Sequence, residues 1–299
     1  MRLVTIKKRQ EARVPETGQI APIHIAFLLF DGFQPIDLAG PWQAFVSANE
    51  ESGQVRYRLA TCGAADVAAT AGDGLRLQVD RGLAESLAAD IHTVMVPGGE
   101  GVHRVARTPE VLDWLRAADA KAQRTCSVCT GAFLLAEAGL LDGRRVTTHW
   151  RSAALLRRRF PALQVSDELI YSESGKYWTS AGVTAGIDLA LMLIERDCGR
   201  TVAQRVARRL VVPWRRDGDQ RQYSQALRAQ DRAGAPFSDL MDRVLSSPSH
   251  PWTIDEMADL CHMSRRTFQR RFTASFGVPP RMALSRLREE QGVGRQKAS

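Results

Sequence analysis

The chain has 299 residues, of which 44% are hydrophobic and 25% charged, an ordinary balance for a soluble globular protein of about two domains. No uncharged apolar run reaches the roughly 18 residues that a membrane helix needs, and the basic N-terminus lacks the apolar core of a secretory leader, so neither a membrane-spanning nor a secreted protein is expected. The net charge of +8 favours an anionic partner, nucleic acid first among them.

Residues 1–20 are expected to form a disordered tail. "IHIAFLLF" (Ile23–Phe30) is a short apolar run with β-branched residues, bounded by Pro22 and Asp31-Gly32, and predicts a buried parallel strand. Pro35–Glu50 predicts a helix, and Val55–Thr61 alternates like a strand. Ile91–Gly99 predicts another buried strand running into a glycine turn. Pro109–Ala122 is an amphipathic helix with proline in its first turn. "RTCSVC" (Arg124–Cys129) predicts a strand, and "TGAFLLAEAGLL" a helix directly after it. Leu163–Gly182 predicts two strands turning at Ser174-Gly175. The apolar helix "VTAGIDLALMLIERDCG" and a further helix, "TVAQRVARRLVV", follow. Strands alternating with helices predict an α/β fold around a parallel sheet.

Cys62, Cys126, Cys129, Cys198 and Cys261 are odd in number and have no secretory context, which points to reduced thiols and a cytoplasmic location. Cys126 and Cys129 form a CxxC, open to a redox reading, but Cys126 falls inside the predicted strand. No second CxxC or close histidine pair completes a zinc site, so no metal is expected, and nothing calls for a cofactor.

Composition changes at Pro213. Residues 213–236 are polar, charged and poor in aliphatics, which marks a linker between a domain at 21–212 and a smaller one at 237–299. In the smaller domain, Thr253 can cap a helix carrying Ile254, Met257, Ala258 and Cys261 on one face. Cys261-His262-Met263 makes a turn, and Ser264 caps the next helix. Phe268, Phe272 and Phe276 fall four apart and form one apolar stripe. Arg265, Arg266, Gln269, Arg270 and Arg271 lie largely off it, as phosphate contact and base readout by a recognition helix require, with Ser264 and Thr267 at its start. An ordinary solvated basic helix is the alternative.

The stretch "IDEMADLCHMSRRTFQRRFTASFGVPP" resembles the first helix-turn-helix of an AraC-type DNA-binding domain. "SVCTGAFLLAEAGLLDGRRVTTHW", "TSAGVTAGIDLALMLIERDCG" and "VVPWRRDGDQRQY" resemble the GlxA group of AraC-family regulators. The resemblance spans roughly residues 22 to 285. It implies an N-terminal PfpI-type, class I glutamine amidotransferase-like domain, a flavodoxin-like parallel sheet sandwich, joined to a small all-α helix-turn-helix domain. It also implies a regulator that binds double-stranded DNA, answers to a small-molecule effector, with nitrogen-containing metabolites as the family's class, and acts as a homodimer. The family's DNA-binding domain carries two helix-turn-helix units. Here 63 residues follow Pro236, with no second apolar pattern after "RMALSRLREEQ", so a shortened domain is expected.

Cys129, directly after a strand and opening a helix, is a nucleophile elbow. Backbone N–H groups at a helix start can lower its thiol pKa, and Gly98 and Gly99 could supply an oxyanion-type N–H. PfpI-type proteins place His after the elbow cysteine, where this chain has Thr130. "PIDLAGPW" with "CTG" resembles isonitrile hydratases, which implies Asp37 as acid/base, Cys129 as nucleophile and Thr130 as orienting group. With a DNA-binding motif on the same chain, these residues are expected to line an effector pocket, with His149 facing it, rather than to catalyse; a cysteine-dependent hydrolase or lyase is the alternative. A third possibility is a remnant that dimerises without binding DNA.

Overall fold

The structure, a computed structural model, describes residues 21–63, 69–72, 74–213 and 234–290. The expected tail, nearly all of the expected linker and the last nine residues lie outside these. The chain divides into two compact units, Met1–Gly218 and Asp219–Ser299.

The first unit runs β1 (Ile23–Leu29), α1 (Pro35–Ser52), β2 (Tyr57–Gly63), β3 (Ala69–Thr70), β4 (Arg76–Leu77), β5 (Arg81–Gly82), α2 (Leu83–Ser86) and β6 (Thr93–Val96). It continues with α3 (Val102–Val105), α4 (Pro109–Lys121), β7 (Arg124–Val128), α5 (Ala132–Glu137), β8 (Arg145–Thr147), α6 (Trp150–Arg159) and β9 (Gln164–Ser166). β10 (Tyr171–Ser174), β11 (Tyr177–Ser180), α7 (Ala185–Cys198) and α8 (Arg200–Arg209) complete it. A seven-stranded sheet has the order β10-β11-β7-β6-β1-β2-β5. All its pairings are parallel except β10 with β11.

β1 lies inside the sheet, and all of its residues except the half-buried His24 are apolar and buried. Phe27 meets Trp42 and Tyr57 meets Phe45, which sets α1 on the face of the odd-numbered residues. α7 and α8 pack beside it there, while α2, α4 and α5 adjoin one another along the other. Along the part of β2 that precedes its short pairing with β5, side chains stand in for a neighbouring strand. Asn49 pairs with both the N–H and the C=O of Tyr57, and Asp80 accepts from the N–H of Thr61.

Two expectations need correction. Cys129–Gly131 is a 3-10 turn, and α5 starts only at Ala132 and stops at Glu137. Gly139 takes a left-handed φ of 75°, and Leu140 N–H donates back to Leu135 C=O at 3.0 Å, which closes the helix. Leu163–Gly182 holds three strands rather than two. The hairpin turns as expected after Ser174, but Gln164–Ser166 leaves the main sheet to pair with β8.

The second unit comprises α9 (Gly234–Ser246), α10 (Ile254–Leu260), α11 (Arg265–Phe276) and α12 (Pro280–Glu290). Thr253 and Glu256 form a reciprocal capping box on α10. His262 turns the chain with φ 52°, and Ser264 Oγ accepts from Thr267 N–H to start α11. Phe237 of α9 meets Phe268, Phe272 and Phe276 edge-on, so the stripe read from the sequence is the core of this unit.

Candidate functional site

The elbow is built by crowding. β7 delivers Cys129 at the end of the sheet with φ 56°, left-handed backbone that a non-glycine residue adopts only under constraint. Two glycines make the room. A Cβ on Gly182 would stand 2.2 Å from Cys129 Cβ, and one on Gly98 would stand 2.6 Å from Thr130 N. Thr148 Oγ1 donates to Cys129 C=O at 2.8 Å, fixing the turn from β8.

Asp37, in the first turn of α1, is 1% exposed. Its carboxylate ties three segments together. Oδ1 accepts from Val183 N–H at 2.8 Å, and Oδ2 accepts from Gly98 N–H at 3.1 Å. Burial raises its pKa to about 6, against the opposing pull of these two N–H groups and the neighbouring Cys129 thiol. The Cys129 thiol is itself pushed up to about 12, first by burial and then by the Asp37 charge. Thr130 Oγ1 accepts from Gly99 N–H at 2.9 Å. Asp37, Gly98, Gly99, Cys129 and Thr130 therefore converge.

This corrects two expectations about chemistry. The thiol pKa is raised, not lowered, because desolvation exceeds the help of the Thr130 N–H at a short 3-10 turn. Gly98 and Gly99 present no free oxyanion donors, since Asp37 and Thr130 already occupy their N–H groups. In this state the pair is a neutral thiol beside a carboxyl group that titrates near pH 6, an arrangement that holds a proton.

On α11, Phe268, Phe272 and Phe276 are buried. Ser264, Arg265, Arg266, Gln269, Arg270 and Arg271 are exposed and Thr267 is half-buried. Arg265 is held by Asp255 at 3.1 Å.

Residues 23–196 match the model of the DJ-1/PfpI family. The chain belongs to the DJ-1/PfpI family. Residues 244–281 of this DJ-1/PfpI chain also match the model of bacterial regulatory helix-turn-helix proteins of the AraC family. It is 30% identical over 267 residues to the HTH-type transcriptional regulator GbdR of Pseudomonas aeruginosa, covering 89% of this chain and 72% of that protein. It is 35% identical over 184 residues to an isonitrile hydratase of Pseudomonas putida, covering 62% of this chain and 76% of that enzyme. Its fold is similar to the crystal structure of a THiJ/PfpI family protein from Pseudomonas syringae, with a TM-score of 0.60, 24% identity, and 79% and 97% of the two chains covered.

Other residues fall around this DJ-1/PfpI elbow or away from it. His149 caps α6, its Nδ1 accepting from Arg151 N–H at 3.3 Å, and burial lowers its pKa. Cys126 is fully buried in β7, and its thiol is pushed up to about 12. Sequence reasoning missed Thr148, Gly182 and Val183. The last two lie in the quoted stretch "TSAGVTAG", where a glycine directly after a strand was the available signal. Val183 also has a left-handed φ of 54°, a strained state for a β-branched residue.

Proposed function

We propose that this chain is a ligand-responsive, DNA-binding transcriptional regulator. Residues 21–212 sense a small metabolite, 213–236 connect, and 237–299 bind double-stranded DNA. The observation that carries the proposal is the division of α11, whose three phenylalanines form the core while its basic side chains face outward. Arg266, Gln269, Arg270 and Arg271 read the major groove, and Ser264, Arg265 and Thr267 position the helix start against phosphate. The relatives named as HTH-type regulators support the same reading. The effector sits against Asp37, Cys129 and Thr130, walled by Gly98 and Gly99, with His149 at the side. It acts by favouring one of two states, which requires different affinity for each. A homodimer supplies two recognition helices, and with them the number of phosphate and base contacts that tight binding needs. The test is enrichment of fragmented genomic DNA by the purified chain. A few fragments should survive moderate salt and be lost in Arg266→Ala/Arg270→Ala/Arg271→Ala; uniform, salt-sensitive binding would refute the proposal.

A second reading rests on the isonitrile hydratase relative and on the meeting of Asp37, Cys129 and Thr130. Here Asp37 is the base and Cys129 the nucleophile. Hydration of an alkyl isonitrile, abolished in Cys129→Ala, would support it, and no turnover would remove it.

A further inference from the structure

The connection from β2 to β6 covers its face of the sheet poorly. It passes through short strands and the four-residue α2 instead of a full crossover helix. In the parallel register His24 lies beside Arg58, Ala26 beside Ala60 and Leu28 beside Cys62, so these side chains share one face. Cys62 interacts with Ser86 of α2, which identifies that face as the one away from α1. The two alanines leave a gap where α2 ends. The result is a cleft of about 650 Å³, within the usual range of small-molecule sites. It shares no residue with the Cys129 site.

The wall of this cleft has a particular polarity. Thr61 is occupied by Asp80, Ser86 by Leu83 C=O and Trp114 Nε1, Cys62 by Phe27 C=O, and His24 by Asp90 C=O. Arg58 and Arg81, both exposed and both lining the cleft, have no hydrogen-bond or ion-pair partner among the described residues. Among the described lining residues Asp90, whose C=O His24 meets, is the one that carries a carboxylate. What the wall leaves unmatched is two guanidinium forks and the Asp90 carboxylate, an excess of one positive charge, around a small apolar floor. Guanidinium groups pair bidentately with carboxylates and phosphates.

We propose that this cleft is a second ligand site, for a small organic oxyanion, a carboxylate or phosphate ester on a compact apolar body. The oxyanion pairs with Arg58 and Arg81, and the body lies over Ala26 and Ala60. The site is independent of the elbow and goes beyond the regulator proposed above.

The test uses the full chain with benzoate and phenyl phosphate as probes and benzamide as the neutral control, followed by NMR and calorimetry. The expected result is binding of at least one anion, with the methyl signals of Ala26 and Ala60 moving, and none of benzamide. Arg58→Ala/Arg81→Ala should weaken it roughly tenfold or more, since charged hydrogen bonds are lost, and Cys129→Ala should not. Ala60→Trp, which fills the gap, should abolish it. Comparison of the two anions separates a carboxylate from a phosphate site. Failure of both anions to bind, or binding unchanged in both cleft variants, would overturn the proposal. Neither result bears on DNA binding, so the two proposals fail separately.

Discussion

Asp37 carries a carboxyl group in a place that disfavours its charge, and the consequence is measurable. Its pKa rises from 3.8 to about 6 on folding, so the folded state binds the proton more tightly than the unfolded one. The stabilisation from this group is therefore complete below pH 4 and is lost as pH rises to about 6, a change of about 3 kcal/mol. Asp37→Asn should remove that slope from the pH dependence of unfolding of the first unit, and an unchanged slope would contradict the assignment. The same burial keeps Cys129 as a thiol. At pH 7.5 it should alkylate roughly a hundred- to a thousand-fold more slowly than an exposed cysteine, and faster once Asp37 is neutral, with trapping by iodoacetamide as the measurement. Gly182→Ala should cost at least about 2 kcal/mol in a denaturant titration, because the new methyl group meets Cys129 and the backbone is left-handed.

Elements were legible where a periodic pattern met a clear stop. The β1 run, the α4 face and the phenylalanine stripe of α11 are the residues that the structure buries. The convergence of Asp37 with Cys129 came from resemblance, since 92 residues of sequence separate them and no local pattern carries such a contact. The fate of the Gly98 and Gly99 N–H groups was not legible, because a donor's partner is a tertiary fact. Nor was β9, whose three residues are too few to show a period. On α11 the two faces should separate experimentally. Phe272→Ala should destabilise the second unit by about 3–5 kcal/mol, whereas Arg270→Ala should leave its melting unchanged and weaken DNA binding.

At the scale of the whole molecule, one chain carries a buried proton-holding pair in its first unit and the exposed basic face of α11 in its second. Among the described residues no helix is long and apolar enough to cross a membrane. A regulator of this kind works only if occupancy of the first unit changes the DNA affinity of the second. The deciding measurement is a titration of the best-enriched genomic fragment with and without the small-molecule fraction of the source cells, on the wild-type chain and on Asp37→Asn. A Kd that shifts in the wild type, and shifts little or not at all in the variant, is the predicted result. A Kd indifferent to that fraction, or shifted equally in both proteins, would contradict a sensor at Asp37 and Cys129.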